Sequence, residues 1–240
     1  MKTLLLSCCA ALAVSCAGPA TKLDSDVEVY GALKAMFHQG QTQAMVNLAG
    51  LNKHPGLYAV GALEHLSGEV TAYDGQLYLS YPEGEHGRTI APTSTTEGAT
   101  LLVTASVEEW VSVTTPTAIS FAQLDQRIAE MAASTGLDLE QRIPFRIEGK
   151  VEQLQYHIID GSKLKDGGTS HKDHLAASIQ VDAGAVDAKL VGFFSKHDQR
   201  VFTHMGSTTH VHCIIDQPLA TGHVDHVVLP AGTVVQFPAP

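Results

Sequence analysis

The stretch THVHCIIDQPLATGHV, residues 209–224, decides how we interpret the rest of the chain. In an extended strand successive side chains alternate between two faces, so His210 and His212 point the same way. The DQP at 216–218 has turn chemistry, and the TGHV that follows can begin a return strand. A turn that pivots between Gln and Pro places His212 opposite His223, with their Cβ atoms roughly 4.5–5.5 Å apart. The stretch predicts a hairpin that brings three imidazoles onto one face.

This arrangement of histidines is a metal-binding pattern. Three neutral imidazoles around an open fourth position are typical of a catalytic zinc site. The chain has 13 histidines, so an H-x-H pair alone carries little weight. The hairpin register of the third histidine favours a metal site at His210, His212 and His223. The alternative is a set of strand histidines satisfied by ordinary hydrogen bonds or by solvent.

Composition indicates an ordinary globular protein. The 240 residues are 44% hydrophobic and 17% charged, enough for one large domain or two small ones with a sizeable core. The formal net charge of −10 argues against a nucleic-acid-binding protein, which normally has a basic face. We therefore expect no nucleic-acid partner.

The first 16 residues have the pattern of an export signal. Lys2 supplies a positive charge, residues 3–14 form a short apolar run, and Ala13-Val14-Ser15-Cys16 is similar to a bacterial lipobox. We expect an exported protein, either a periplasmic or cell-envelope lipoprotein or a secreted one. A lipid on Cys16 would be its membrane attachment, and residues 17–28 would be a tether.

One cysteine, Cys213, remains beyond the signal. A single cysteine cannot form an intramolecular disulfide. Its position between His212 and the next strand residue places it on the face opposite the histidines, where we expect a buried free thiol.

Periodicity predicts the remaining elements. Helical spacing predicts helices at 29–37, 43–51 and 121–133, the last with Ser120 as its N-cap. Strand patterns occupy 68–73, 76–80, 101–105, 110–113, 145–151, 153–159, 190–194 and 201–204, and the Asp74-Gly75 pair between the first two predicts a tight hairpin turn. We expect an α+β or mixed α/β fold with two β-sheet-centred halves and covering helices. The halves are an N-terminal sheet-and-helix half at 29–140 and a C-terminal β-rich zinc-binding half at 141–240.

Residues 162–174 are rich in Gly, Lys, Asp and His. This composition favours a solvated, mobile loop. Contact of His171 or His174 with the metal is the alternative.

Two charged residues outside the hairpin are candidate companions of the metal. Glu69 begins a strand beside Gly68, where close approach is possible, and Arg146 lies inside a strand between Phe145 and Ile147. A buried arginine needs an anionic partner. The alternative for both residues is an exposed position on a strand.

These residues together carry a resemblance to the α-acetolactate decarboxylase family. That family has an H-x-H and, after ten residues that end in Gly, a third histidine followed by Val, as His210 to Val224 do here. Gly68-Glu69 followed by Asp74-Gly75 is similar to an upstream family segment, and Phe145-Arg146-Ile147-Glu148-Gly149 is similar to a family strand. The three blocks occur in the family's order, and the resemblance extends from about Val29 to the C-terminus.

The resemblance implies a function and roles for the residues. His210, His212 and His223 would bind Zn²⁺, Glu69 would be the active-site carboxylate and Arg146 the active-site guanidinium. The substrate would be a small branched β-keto hydroxy acid, 2-acetolactate, converted to acetoin and CO₂. Zn²⁺ would act as a Lewis acid, Arg146 would pair with the departing carboxylate or the enediolate, and Glu69 would be a candidate proton donor. The family also suggests two sheets and a possible homodimer.

Two other readings stay open. A cupin-type metalloprotein also uses H-x-H on a strand, with a carboxylate a few residues later. A non-catalytic exported module of the same fold would bind metal or ligand without the reaction. The second reading is motivated by the tail, because the family has a glutamate there, whereas the carboxylate after His223 in this chain is Asp225.

Overall fold

The computed structural model describes residues 26–51, 54–164 and 170–240, which form mostly β-sheet with few helices. The strands of a seven-stranded sheet are β1 (Glu28–Tyr30), β2 (Val46–Asn47), β3 (Leu57–Leu63), β4 (Glu69–Tyr73), β5 (Gln76–Tyr81), β6 (Arg88–Ile90) and β7 (Gly98–Ser106). Those of a six-stranded sheet are β8 (Trp110–Thr114), β9 (Ile143–Ile158), β10 (Ile179–Phe194), β11 (Thr209–Asp216), β12 (Leu219–Val228) and β13 (Val234–Pro238). Strands therefore contain a larger share of the residues, relative to helices, than the predicted α+β or mixed α/β class suggests.

The first sheet has antiparallel neighbours in the order β1-β7-β3-β4-β5-β6, with β2 also paired to β7. Every residue of the central strand β3 is buried, because both of its faces are covered. The predicted hairpin of β4 and β5 is confirmed. Its turn residues Asp74 and Gly75 both have positive φ, 49° and 78°, as a tight two-residue turn requires.

The second sheet closes on itself. Its order is β10-β11-β12-β9-β13-β8, and β9 also pairs with β10. Strands β9 and β10 each have 16 residues, so each can change partners along its length. The first part of β9 lies between β10 and β13, and its last part lies between β10 and β12. Irregular pairing around Gly184 accompanies this change. The end of β9 is thereby brought beside the β11–β12 hairpin.

The two sheets pack against each other through a shared apolar cluster. The cluster contains Val60 and Val103 from the first sheet with Val191, Phe193 and Ile214 from the second. Side chains that point into this space are shielded from water, which strengthens their electrostatic interactions.

The helices are α1 (Leu33–Gln39), α2 (Phe121–Ser134) and α3 (His171–Ala177). The prediction of α2 is confirmed, and Ser120 forms a capping box with Gln123 at its start. Leu124 and Ile128 of this helix pack into the core on the outer face of the second sheet. Among the described residues, no helix combines the length and apolar character needed to cross a membrane.

Two of the predicted helices differ from the structure. The helix predicted at 29–37 begins only at Leu33, because residues 28–30 pair with β7. The helix predicted at 43–51 is wrong, since Val46–Asn47 form strand β2. Val46 and Leu48 pack into one apolar cluster, so the apolar residues here follow the two-residue period of a strand.

The strand predicted at 201–204 is also wrong. The backbone carbonyl of Asp198 accepts hydrogen bonds from the N–H groups of Val201, Phe202 and Thr203. Three donors on one acceptor curl the chain into a compact turn. The Asp198 carboxylate is in turn held by the guanidinium of Arg142, with atoms 2.8 and 2.9 Å apart.

The loop predicted at 162–174 is partly replaced by helix α3. Ser170 and Asp173 form a capping box at its N-terminus, a signal already visible in the sequence. The prediction of a mobile loop at 165–169 lies outside the described residues.

The chain passes from the first sheet to the second between Ser106 and Trp110, because β8 belongs to the second sheet. The domain division at 140–141 stays a prediction.

The export signal, the lipidation site at Cys16 and most of the predicted tether lie outside the described residues. Cys213 is a buried free thiol, as predicted.

Candidate metal centre

Residues 209–224 form the hairpin that their sequence predicts. The chain turns at residues 217–218, and His212 on β11 lies directly opposite His223 on β12. His210, two residues before His212, shares its face of the strand. The pairing prediction is therefore confirmed, and the three imidazoles converge between the two sheets.

The three ring systems lie close enough to hold one metal ion. One ring nitrogen from each of His210, His212 and His223 lies within 4.8 Å of the others. The Nε2 atoms of His210 and His212 are 3.2 Å apart. Two nitrogen ligands of a tetrahedral zinc ion, each about 2.0–2.1 Å from it, are separated by roughly 3.3 Å. The separation of these two atoms fits such an ion.

A chain of hydroxyl groups fixes the tautomer of His212. The Thr221 hydroxyl donates to the Cys213 carbonyl at 2.6 Å, so its oxygen accepts from the hydroxyl of Thr71 at 2.9 Å. The Thr71 oxygen must then accept from Nδ1–H of His212, also at 2.9 Å. A neutral imidazole carries one ring proton, so Nε2 of His212 keeps its lone pair for a metal. Metal-binding histidines are commonly oriented in this way through their second nitrogen.

Burial keeps these histidines in the neutral form that a metal requires. Desolvation lowers the pKa of His210 to about 4, and the neighbouring His157 adds to the effect. Burial and nearby imidazoles hold the pKa values of His212 and His223 well below their usual range. Neutral imidazoles are available as ligands without first losing a proton.

Glu69 lies beside the histidines, although more than 140 positions separate it from His212 in the chain. It begins β4 on the first sheet, and its Oε2 is 3.9 Å from Nε2 of His212. Its Oε1 accepts a hydrogen bond from the N–H of Ile159 at 3.1 Å. Burial raises the pKa of Glu69 to about 7, while His157 and the Ile159 N–H oppose that rise. Glu69 can therefore carry or release a proton near neutral pH.

His157 is a member of the site that sequence reasoning missed. It lies on β9 directly opposite His223, with ring centroids 4.8 Å apart. Its Nδ1 is 2.9 Å from both carboxylate oxygens of Asp225, and its Nε2 is 3.9 Å from Oε1 of Glu69. Burial lowers the pKa of His157, but Asp225 and Glu69 together outweigh burial and the net shift is upward. The signal available in the sequence was Asp225, which follows His223 by two residues on the same strand and could have been expected to hold a further histidine beside the site.

Arg146, the other predicted catalytic residue, does not line the cavity beside the histidines. Its Nε donates to Gln236 at 2.9 Å and its terminal nitrogen donates to the hydroxyl of Tyr58 at 2.6 Å. Its guanidinium carbon lies 4.6 Å from the ring centre of Trp110 and 5.8 Å from that of Tyr73. Arg146 is thus surrounded by aromatic rings, and none of these partners lines the cavity beside the histidines.

A small cavity of about 50 Å³, the inner cavity, lies beside the candidate ligands. Glu69, His157 and two of the three histidines line it, together with His174 and His204. His174 is buried and its ring centre is 4.2 Å from that of Phe37, so the solvated position that the sequence favoured for it is wrong. The prediction for the side chain of His171 lies outside the described part.

The fold and site define a mostly β protein with a candidate three-histidine metal centre between two sheets. The sequence model of the family described as alpha-acetolactate decarboxylase matches residues 29–237. The chain belongs to this family. This family assignment replaces the alternative interpretation of the chain as a cupin-type metalloprotein.

Solved structures support the fold. Alpha-acetolactate decarboxylase from Bacillus subtilis strain 168 superposes with a TM-score of 0.68 at 14% identity, covering 91% of this chain and 86% of that one. A protein of unknown function similar to alpha-acetolactate decarboxylase from Staphylococcus aureus gives a TM-score of 0.67 at 17% identity, covering 88% and 84%. No functionally curated protein matches this chain by sequence.

Proposed function

We propose that this protein catalyses the zinc-dependent decarboxylation of 2-acetolactate to acetoin and CO₂. The observation that carries the proposal is the convergence of three neutral imidazoles beside a buried carboxylate at one cavity. Membership of the family supports the substrate.

The histidines have the chemistry of a zinc site. His210, His212 and His223 would hold the ion through neutral ring nitrogens, and Thr71 would keep His212 in the required tautomer. When bound, zinc supplies a Lewis acid that stabilises negative charge developing on substrate oxygens.

Glu69 is the proposed proton donor. Loss of CO₂ breaks a carbon–carbon bond and leaves its electron pair on the substrate, which becomes an enediolate. A proton must then reach carbon to give acetoin, and protonated Glu69 can supply it from Oε2 before regaining one from water. A carboxyl group with a pKa of about 7 is well suited to this, because it is partly protonated at neutral pH.

His157 and Asp225 complete the proposed environment of Glu69. The Asp225 carboxylate accepts Nδ1–H of His157 and thereby directs Nε2 towards the inner cavity. The sheets around these groups exclude bulk water, so the hydrogen bond from the Ile159 N–H to Glu69 acts in a medium of low polarity. This arrangement keeps the proton donor in a fixed position.

The experiment is a direct assay of the reaction. We expect the purified, zinc-loaded full chain to release acetoin and CO₂ from racemic 2-acetolactate, and a chelator-treated sample to release neither. Zinc content is measured on the same samples to establish loading. Absence of product above the chelator control, at full zinc occupancy, would reject the reaction.

A second candidate is a non-catalytic metal-binding module of the same fold. The position of Arg146 favours it, because no arginine or lysine lines the inner cavity within the described residues. This candidate predicts stoichiometric zinc without CO₂ release in the same assay.

The proposals about export, lipidation and assembly rest on the sequence alone. We propose export through residues 1–16, lipidation at Cys16 and assembly as a homodimer. Cys16→Ala is expected to move the protein from the membrane fraction to the soluble fraction. An unchanged distribution would reject lipidation, and a monomeric mass in sedimentation would reject the dimer.

A further inference from the structure

A second and larger cavity, the outer cavity, lies against the inner one. Its volume is about 320 Å³, compared with about 50 Å³ for the inner cavity. Leu33, Phe37 and His204 line both. A molecule that reaches the histidines from this side must therefore pass through the outer cavity.

The outer cavity is cationic in a protein that is acidic overall. Lys34 and Arg200 line it, His38 adds a third basic side chain, and no carboxylate is among the described residues that line it. The chain carries a formal net charge of −10, which repels anions from most of its surface. A basic cavity at this position therefore attracts anions against the charge of the whole molecule.

The two cations have no competing carboxylate. Arg88 and Arg127 form ion pairs with glutamates at 2.5 and 2.8 Å. Across residues 26–51, 54–164 and 170–240, neither Lys34 nor Arg200 forms an ion pair with a carboxylate, and the Arg200 guanidinium donates a hydrogen bond to the sulfur of Met205 at 3.9 Å. Both side chains are therefore available to an anionic ligand.

Backbone hydrogen bonds hold residues 34 and 200 side by side. The N–H of Lys34 donates to the carbonyl of Arg200 at 2.9 Å, and the N–H of Leu33 donates to the carbonyl of Val201 at 2.8 Å. Arg200 has φ of 65°, a left-handed conformation unfavourable for a side chain of this kind. Its N–H donates to the carbonyl of Thr203 at 2.7 Å, which holds the turn in place. Such outliers persist where the surroundings impose them, and they cluster at ligand sites.

His204 connects this turn with the candidate metal centre. Its ring centre is 5.4 Å from that of His223, and the ring of Phe37 is stacked parallel to it at 6.5 Å. A ligand held by Lys34 and Arg200 would thus be separated from the histidines only by the residues shared between the two cavities.

We propose that the outer cavity is the entrance to the site and that Lys34 and Arg200 bind the carboxylate of a small hydroxy acid there. The identity of that acid rests on the proposed function, whereas the recognition of a carboxylate rests on the charges and geometry of the outer cavity. The acid is captured in the outer cavity through its carboxylate and then moves past the shared residues into the inner cavity, where the bond to that carboxylate breaks.

The test measures binding without catalysis. The probe is 2-hydroxyisobutyrate, a branched hydroxy acid that has no ketone and cannot follow the proposed reaction, titrated by calorimetry into the zinc-loaded full chain. Lys34→Gln combined with Arg200→Gln is expected to weaken its binding about tenfold, as the loss of two solvent-exposed charge contacts would. Binding of acetoin, which is neutral, is expected to stay unchanged.

The matched control is Arg127→Gln combined with Lys150→Gln. It removes the same charge from positions that line neither cavity, and it is expected to leave the affinity unchanged. Equal affinities of the two double variants would overturn the proposal, and so would absence of binding to the unsubstituted protein. Weakened probe binding without CO₂ release from 2-acetolactate would support the entrance and reject the reaction instead.

Discussion

Glu69 and Arg146 are charged strand residues that contact groups across the space between the two sheets, yet their surroundings differ. Glu69 is buried beside His212 and His157 and accepts one backbone hydrogen bond. Arg146 donates two hydrogen bonds to side chains and is enclosed by aromatic rings. The histidine–carboxylate region thus presents its polar atoms to a cavity, whereas the arginine region uses them in internal contacts.

The difference shows how a functional role and a structural role can be distinguished for charged residues between two sheets. A carboxylate whose burial penalty is only partly offset has its pKa moved towards neutrality, as for Glu69, and such groups are candidates for proton transfer. A guanidinium that donates hydrogen bonds to side chains and lies over aromatic rings is stabilised by contacts within the fold. We therefore expect substitutions in the two regions to affect different properties.

The largest effect is expected for His212→Ala. The change removes one of the three candidate ligand nitrogens at a position with no solvent exposure, so bound zinc and activity should both be lost. Elemental analysis of the purified protein measures zinc per chain. His226→Ala, a partly exposed histidine on β12, is the control and should keep its zinc. Stoichiometric zinc in the His212 variant would contradict the ligand set.

Glu69→Gln should separate chemistry from metal binding. The amide keeps the size of the side chain but cannot donate a proton as an acid, so kcat is expected to fall by about 10²–10⁴-fold. Zinc content should stay stoichiometric, because the three histidines are untouched. Steady-state kinetics together with zinc analysis make the measurement. A kcat within a few-fold of the unsubstituted protein would remove Glu69 from the mechanism.

Thr71→Val should weaken zinc without eliminating it. The substitution preserves shape but removes the oxygen that accepts Nδ1–H of His212, and such supporting contacts typically contribute about 10–100-fold to metal affinity. Competition with a chromophoric chelator measures the affinity. Thr104→Val is the control, because the Thr104 hydroxyl has no hydrogen-bond partner among the described residues. Equal affinities in both variants would exclude the hydroxyl chain as a support.

Arg146→Met should have the smallest effect on the reaction and act on stability instead. Loss of its contacts with Tyr58, Gln236 and Trp110 is expected to lower the free energy of unfolding by about 2 kcal/mol. Urea denaturation measures this, with Arg127→Met on the surface of α2 as the control. If activity instead falls more than about a hundredfold at unchanged stability, the predicted catalytic role of Arg146 is restored.

Local patterns predicted the elements whose folding depends on sequence neighbours. The hairpin at 209–224 and the turn at Asp74-Gly75 follow from strand alternation and turn chemistry. Helix α2 follows from its apolar period and its cap. The strand predicted at 201–204 failed because the Asp198 carbonyl gathers three N–H groups, a contact that no periodicity reveals.

The sequence by itself predicted that His210, His212 and His223 share one face, because strand alternation and a turn centred between residues 217 and 218 place them there. It also carried enough family resemblance to indicate the class of protein. Only the tertiary structure decided which charged groups meet these histidines. Glu69 and His157 reach them because β4 packs across from the hairpin and β9 is long enough to pair with β12 as well as β13. Arg146, near the start of that same strand, is carried instead to Tyr58 and Trp110.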